Sequence, residues 1–219
     1  MSLPLSISGL TVRAGARALL TIEELALPAC SLTCIRGPSG AGKTTALHAL
    51  AGLLSGTGRL AWGDADLCRM SRMARTRFRG AQMGMVFQDF LLFEELTARE
   101  NALISAVFRP DRAALSRRAD ALMERLGLSG LAQRRADRLS GGERQRVAVV
   151  RALAHDPAIL LADEPTASLD RATADALIAD LAALARAEGR SVVIASHDPQ
   201  VWDAMDRVLT IRDGVLEAG

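Results

Sequence analysis

Alternating and apolar stretches at Leu5–Val12, Ala18–Leu27 and Leu32–Ile35 predict three early strands. A glycine-rich turn follows the third stretch, and a helix is expected over Thr44–Leu54. From about Ala98 to Ala154 the pattern is mostly helical, broken at Gly127–Ser129 and Arg138–Gly142. The short apolar run Ala158–Ala162 predicts a buried strand, and a turn separates it from an alanine-rich helix over Arg171–Glu188. Ser191–Ser196 is a second strand of that buried type. Arg207–Ile211, with Gly214 beyond it, predicts a last short strand and turn. Strands alternating with helices imply an α/β fold with a largely parallel sheet, into which the helical middle is inserted. No repeat, low-complexity tract or linker divides the 219 residues, a length that suits one domain with a good core.

Composition narrows the partners. The chain is 49% hydrophobic and 24% charged, ordinary proportions for a globular protein, and its net charge is only +2. That balance makes no case for nucleic acid or an anionic membrane as the main partner. The basic run Arg69, Arg72, Arg75, Arg77 and Arg79 is expected to be a solvated helical face. Cys30, Cys34 and Cys68 have no metal-ligand company and are expected to be buried thiols in a reducing cytosol. The N-terminus lacks the basic region and cleavage site of a signal peptide. No stretch is long and apolar enough to span a membrane.

One cation stands apart. Lys43 is the only lysine in a chain whose other positive side chains are all arginine. It lies in Gly37-Pro38-Ser39-Gly40-Ala41-Gly42-Lys43-Thr44, which fits the phosphate-loop pattern G-x-x-x-x-G-K-[ST], with a strand before it and a helix, opening through Thr45, after it. The glycines let backbone N–H groups approach phosphate oxygens at a helix N-terminus. Lys43 offers a compact charge to the β- and γ-phosphates, and Thr44 a hydroxyl to Mg²⁺. An arginine fork is too bulky for a loop wrapped round the phosphate chain, so the surviving lysine points to nucleotide binding.

Two further stretches extend this chemistry. In Ala158–Pro165 a buried strand delivers Asp163 to its end, where it can hold Mg²⁺. Glu164 follows as the candidate general base for an attacking water. Leu139–Arg146 reads LSGGERQR, and its Ser140-x-x-Glu143 is a capping box opening a helix. A helix start does not require Gly141 and Gly142, each of which costs up to ~1 kcal/mol once helical. Two glycines behind a serine suit the close approach of a phosphate. Because the chain already has one phosphate loop, this second anion site is expected to serve a nucleotide bound to another copy.

In this order the motifs resemble those of the nucleotide-binding subunits of ABC transporters, along nearly the whole chain. The Walker A motif is Gly37–Thr44, the Q-loop Gln88, the signature Leu139–Glu143 and the Walker B motif Ile159–Asp163 with Glu164. The D-loop is Ser168-Leu169-Asp170, and His197 completes the set. The resemblance implies a P-loop NTPase fold with a RecA-like parallel-sheet core, an N-terminal antiparallel β subdomain and an inserted helical subdomain at about 89–154, all within one domain, 1–219. It implies ATP and Mg²⁺ as ligands. It also implies a head-to-tail homodimer in which Ser140, Gly141 and Gly142 of one copy meet the γ-phosphate held by Lys43 of the other. Gln88 is then expected at Mg²⁺ or the attacking water, and His197 at the γ-phosphate, whereas His48 and His155 are expected to be structural.

Within the family, Met85–Asn101 and the compact length are most similar to the lipoprotein-releasing, macrolide-exporter and cell-division ATPases. That likeness implies a separate integral-membrane subunit docking near Phe90–Phe93, and a peripheral location on the cytoplasmic face of the inner membrane. An ATP-switched regulatory or scaffolding module would carry the same residues, and the identity of its partner would separate the two. Two features depart from the family pattern. No aromatic residue precedes Lys43 to stack on adenine, which leaves base selectivity either loose or carried by Arg13 or Arg17, and Ala167-Ser168 replaces the commoner small pairs.

Overall fold

The computed structural model describes residues 3–105 and 111–217. Strands β1 (Leu5–Ala14) and β2 (Arg17–Leu27) form an antiparallel hairpin and run into β3 (Leu32–Arg36). Leu5, Ile7, Leu10 and Val12 all point inward, although their spacing slips by one residue between Ile7 and Leu10. The β1–β4 register shifts between Ser8 and Thr11, a bulge that restores the inward face. Helix α1 (Lys43–Leu50) leads to β4 (Gly56–Trp62), β5 (Ala65–Asp66), α2 (Arg72–Gln82) and β6 (Met83–Val86). The helical middle is α3 (Ala98–Ala102), α4 (Arg112–Arg125) and α5 (Gly141–Leu153). Then follow β7 (Ile159–Asp163), α6 (Arg171–Glu188), β8 (Ser191–Ala195), α7 (Pro199–Asp203), β9 (Arg207–Arg212) and β10 (Val215–Leu216).

Ten strands hydrogen-bond in the order β5-β4-β1-β2-β10-β9-β3-β8-β7-β6. From β9 to β6 every neighbour is parallel, and every residue of β7 and β8 is buried, which explains their unbroken apolar runs. From β5 to β2 every neighbour is antiparallel. The two halves meet at β10, which pairs parallel to β2 through Val215↔Thr21 and antiparallel to β9. The sheet is therefore mixed, where alternation of strands and helices suggested a largely parallel one.

Two apolar clusters fill the interior. One joins Leu5, Ile7, Leu20 and Trp62 of the antiparallel strands to Leu47 and Leu50 of α1. Trp62 also donates its indole N–H to the Leu50 carbonyl at 3.0 Å. The other packs Leu115, Leu122 and Met123 of α4 with Val147 and Val150 of α5 against the parallel sheet. Here Gly84 is required: a Cβ on it would lie 2.2 Å from the Ala152 carbonyl oxygen, so β6 can pass α5 only without a side chain.

Several elements were not expected from the pattern. Strand β4 opens with Gly56 and Gly58, which break alternation, and β5, β6 and α7 are only two to five residues long. Gly141 and Gly142, read as part of a break, form the first turn of α5. The thiols are not all buried. Cys34 is, and burial pushes its pKa up to about 12, but Cys30 is exposed and Cys68 only partly covered. Cys30 sits in the turn before β3 with a φ of 62°, outside the core that β3 enters.

Candidate active site

The loop from Gly37 to Gly42 connects β3 to α1 at the C-terminal edge of the parallel strands, where α/β sheets place their ligands. Two glycines are forced. A Cβ on Gly37 would lie 2.3 Å from the Ile211 carbonyl oxygen, and Gly42 has a φ of 106°. Gly42 is the N-cap of α1 and provides no side-chain cap, so the first N–H groups of the helix are left for another acceptor. The Lys43 ammonium donates to the carbonyls of Gly37 at 3.0 Å and Pro38 at 3.2 Å.

Beside this loop is a cavity of about 510 Å³. Gly37, Pro38, Ser39, Gly40, Gly42, Lys43, Thr44 and Thr45 line it, together with Gln88, Asp163, Glu164 and His197. Among the residues expected at the phosphates and Mg²⁺ of this chain's own nucleotide, only Ala41 does not line it; Arg13 and Arg17, expected at the base, lie outside its lining. Ala41 is buried under the loop, where its N–H donates to the Pro38 carbonyl and its own carbonyl accepts from Gly214 N–H. Ala167 lines the cavity without having been anticipated; a small residue in a turn carries no chemical signal of its own.

Asp163 ends β7 and is 8% exposed. Burial raises its pKa and the neighbouring Glu164 adds to the rise, while a hydrogen bond with Thr44 and the charges of His48 and Lys43 oppose it. Glu164 has a φ of 44°, a left-handed conformation unusual for a side chain of its size. Its N–H donates to the Ala195 carbonyl at 2.9 Å, fixing the turn to β8. Its carboxylate accepts from Ser196 Oγ at 3.3 Å, lies 2.8 Å from His197 Nδ1, and is 3.8 Å from Lys43 Nζ. Three elements thus converge on one carboxylate at the cavity. His48 packs 6.4 Å from the Phe87 ring, and His155 Nε2 lies 3.0 Å from the Met83 carbonyl.

Ser140, Gly141 and Gly142 lie apart from this cavity, at the N-terminus of α5. Ser140 Oγ accepts from Glu143 N–H at 3.2 Å, and Glu143 accepts from Ser140 N–H at 2.7 Å, which completes the capping box. Gly142 has an intramolecular reason as well, whereas Gly141 makes only an ordinary contact. A Cβ on Gly142 would lie 3.1 Å from Leu169 Cδ2, and one on Gly141 3.5 Å from the Ser168 carbonyl oxygen. In the loop after Gln88, Leu91 and Phe93 are about half exposed, Leu92 packs on the core, and the Arg151 guanidinium binds the carbonyls of Phe90 and Leu91.

Comparison with known proteins agrees in sequence and in shape. The family model described as ABC transporter matches residues 21–167. The lipoprotein-releasing system ATP-binding protein LolD of Gluconobacter oxydans is 41% identical, over 97% of this chain and 94% of its own. LolD of Novosphingobium aromaticivorans is 42% identical, over 85% of this chain and 84% of its own. Among solved structures, the dimeric ATP-binding cassette MJ0796 bound to ADP and Pi superposes with a TM-score of 0.85 at 30% identity, covering 98% of this chain and 97% of the other. CbiO1 of Clostridium perfringens, part of the ABC transporter complex cbiONQ, gives a TM-score of 0.89 at 25% identity, covering 100% of this chain and 88% of the other. The chain belongs to the ABC transporter family, as an ATP-binding and ATP-hydrolysing subunit.

Proposed function

We propose that two copies of this chain close head to tail on two ATP molecules and that hydrolysis reopens them, driving a membrane subunit. The observation that carries this reading is the shared contact of the Glu164 carboxylate with His197 and Lys43. Lys43 and the N–H groups of the Gly37–Gly42 loop and of Thr44 and Thr45 hold the β- and γ-phosphates. Glu164 accepts the proton of the attacking water, a step worth roughly 10²–10⁴-fold in rate. His197, whose Nδ1 faces Glu164, contacts the γ-phosphate through its other ring nitrogen. Ser140, Gly141 and Gly142 complete the γ-phosphate site of the other copy, since in this chain they lie outside the cavity.

The cavity fits Mg²⁺ as well. Asp163 is a buried carboxylate hydrogen-bonded to Thr44, with Gln88 on the same cavity wall, an all-oxygen donor set suited to a hard cation. Among the described residues no cluster of three or more His, Cys, Asp or Glu could hold a metal alone, so phosphate oxygens would complete the shell. Thr44, Asp163 and Gln88 would hold the ion, which when bound neutralises charge on the phosphate oxygens.

The membrane subunit docks near Phe90–Phe93, where Leu91 and Phe93 present apolar surface beside Gln88. No helix of the described residues is long and apolar enough to cross a membrane. The likeness to LolD supports lipoprotein release as the transport process, and the chain acts peripherally, at the cytoplasmic face of the inner membrane. The chain works as one domain whose segment 89–154 carries both the docking loop and the signature helix.

Replacing Glu164 by Gln tests the reading. Phosphate release is expected to fall at least ~100-fold while ATP still binds, and light scattering should then show an ATP-dependent dimer. Turnover at the wild-type rate would remove Glu164 from the role of base.

A further inference from the structure

Between Leu67 and Gln88 the chain has five arginines and no acidic residue, although its net charge is only +2. The remainder of the chain is therefore net acidic, and the positive charge is concentrated on and beside α2. Elsewhere arginines pair readily: Arg99 with Asp120, Arg118 with Glu188, Arg171 with Asp198, Arg186 with Asp206. Among the described residues, Arg72, Arg75, Arg77 and Arg79 form no ion pair, and Arg69 meets only Asp66 at 3.4 Å, its side chain 86% exposed.

The helix divides these arginines by role. Arg75 and Arg79 turn inward, Arg75 to Ser55 Oγ at 3.1 Å and Arg79 to the Gly52 carbonyl at 3.1 Å. There they cover the carbonyl end of α1, a favourable place for cations. Burial lowers the pKa of Arg79, and the nearby charges of Arg75 and Arg72 add to the shift. Arg72 and Arg77 face outward with Met73, which is 64% exposed. Leu53, 44% exposed, lies next to the Gly52 that Arg79 reaches.

We infer that the outer face of α2, with Arg69, Arg72 and Arg77 around Met73, is a contact surface for the anionic lipid headgroups of the membrane on which the protein works. Charge complementarity requires an anionic occupant. A broad one is favoured, because the cavity against α2 that Arg75 lines is only about 10 Å³, room for one water at most. Arginine interleaved with exposed Met and Leu suits a bilayer interface, where the cations meet phosphates and the apolar tips enter the headgroup layer. The small net charge argued against an anionic membrane as the main partner; the local distribution makes it a second contact beside the membrane subunit. This inference rests on the reading that the protein works at a membrane.

The test uses the full-length chain and phosphatidylcholine vesicles with and without about a third phosphatidylglycerol, at low and high salt. Sedimentation with the anionic vesicles alone, abolished by high salt, is expected. Each arginine near such a surface contributes roughly fivefold in affinity. Arg72→Ala with Arg77→Ala should therefore weaken binding about 25-fold, and Arg72→Glu with Arg77→Glu should abolish it, with ATP turnover unchanged in both. Equal sedimentation with neutral vesicles, or unchanged binding of both variants, would overturn the inference. So would variants that bind vesicles normally but no longer capture the membrane subunit, which would assign the face to an acidic protein surface. Wild-type protein that captures a membrane subunit yet ignores anionic vesicles would sink this inference alone. Failure of both experiments would sink the transporter reading with it.

Discussion

Two helix N-termini in this chain are suited to phosphate, and they are finished to different degrees. At α1 the cap is Gly42, which has no side chain to satisfy the first N–H groups, and Lys43, Asp163, Glu164 and His197 line the cavity beside it. At α5 the cap is Ser140, already bonded to Glu143 and outside the cavity that Lys43 lines. The first is a site that one copy can fill with nucleotide. The second has its own cap and its own packing partner in Leu169, so it holds together without ligand and offers a surface to another molecule. On the proposed reading, the half-site of one copy is completed at the occupied finished site of another, which gives the chain a reason to dimerise when nucleotide is bound.

The largest break in this comparison is expected at Lys43. Lys43→Arg keeps the charge but puts a planar fork where the ammonium sits against the Gly37 and Pro38 carbonyls. ATP turnover in a phosphate-release assay should fall about 100-fold or more, by analogy with the loss of one preorganised charge-stabilising donor. Near wild-type turnover would mean that the lone lysine is not selected by the phosphate chain.

Ser140→Ala separates the half-site from the finished one. ATP affinity of the monomer, read by fluorescent-nucleotide titration at low protein concentration, should not change. Dimer formation in the Glu164→Gln background should weaken, and thermal stability should drop by about 1 kcal/mol from the lost cap. A monomer that loses ATP affinity would show that the signature serves the nucleotide of its own chain.

The smallest effect sharpens the finished site. Burial raises the Asp163 pKa above its ordinary value of 3.8, so the unfolded chain loses this proton more readily than the folded one. Asp163 therefore favours the fold at acid pH, and this contribution is lost as pH rises from about 3.8 through the raised value. At neutral pH, Asp163→Asn should raise the melting temperature of the nucleotide-free chain by a few degrees while turnover collapses. An unchanged or lower melting temperature at pH 7, or no shrinking of the difference as pH falls toward 4, would show that the carboxylate is not strained by burial.

The Gly37–Thr44 loop was legible in the sequence because its requirements are local: glycines for close approach, a lysine for the phosphates, and a strand and helix on either side. Strands β7 and β8 were legible because burial on both faces leaves only apolar residues. Strands β4 and β6 were not. Gly58 is placed by the approach of Gly9, and Gly84 by that of Ala152, so contacts distant in sequence chose those residues. The reading of Gly142 was incomplete for the same reason, since Leu169 crowds it from a loop more than twenty residues away.

The sequence by itself determined the local chemistry: which loop can cradle phosphate, which carboxylates follow a buried strand, and where helices are capped. Those features need only neighbouring residues. Tertiary structure alone decided the mixed ten-strand order, the junction of its halves at the two-residue β10, and the meeting of Glu164 with Lys43 and His197. It also decided which arginines of α2 cover the end of α1 and which remain outside. Each of these follows from the order in which strands far apart in sequence pair and from the packing of helices across them, which no local pattern encodes.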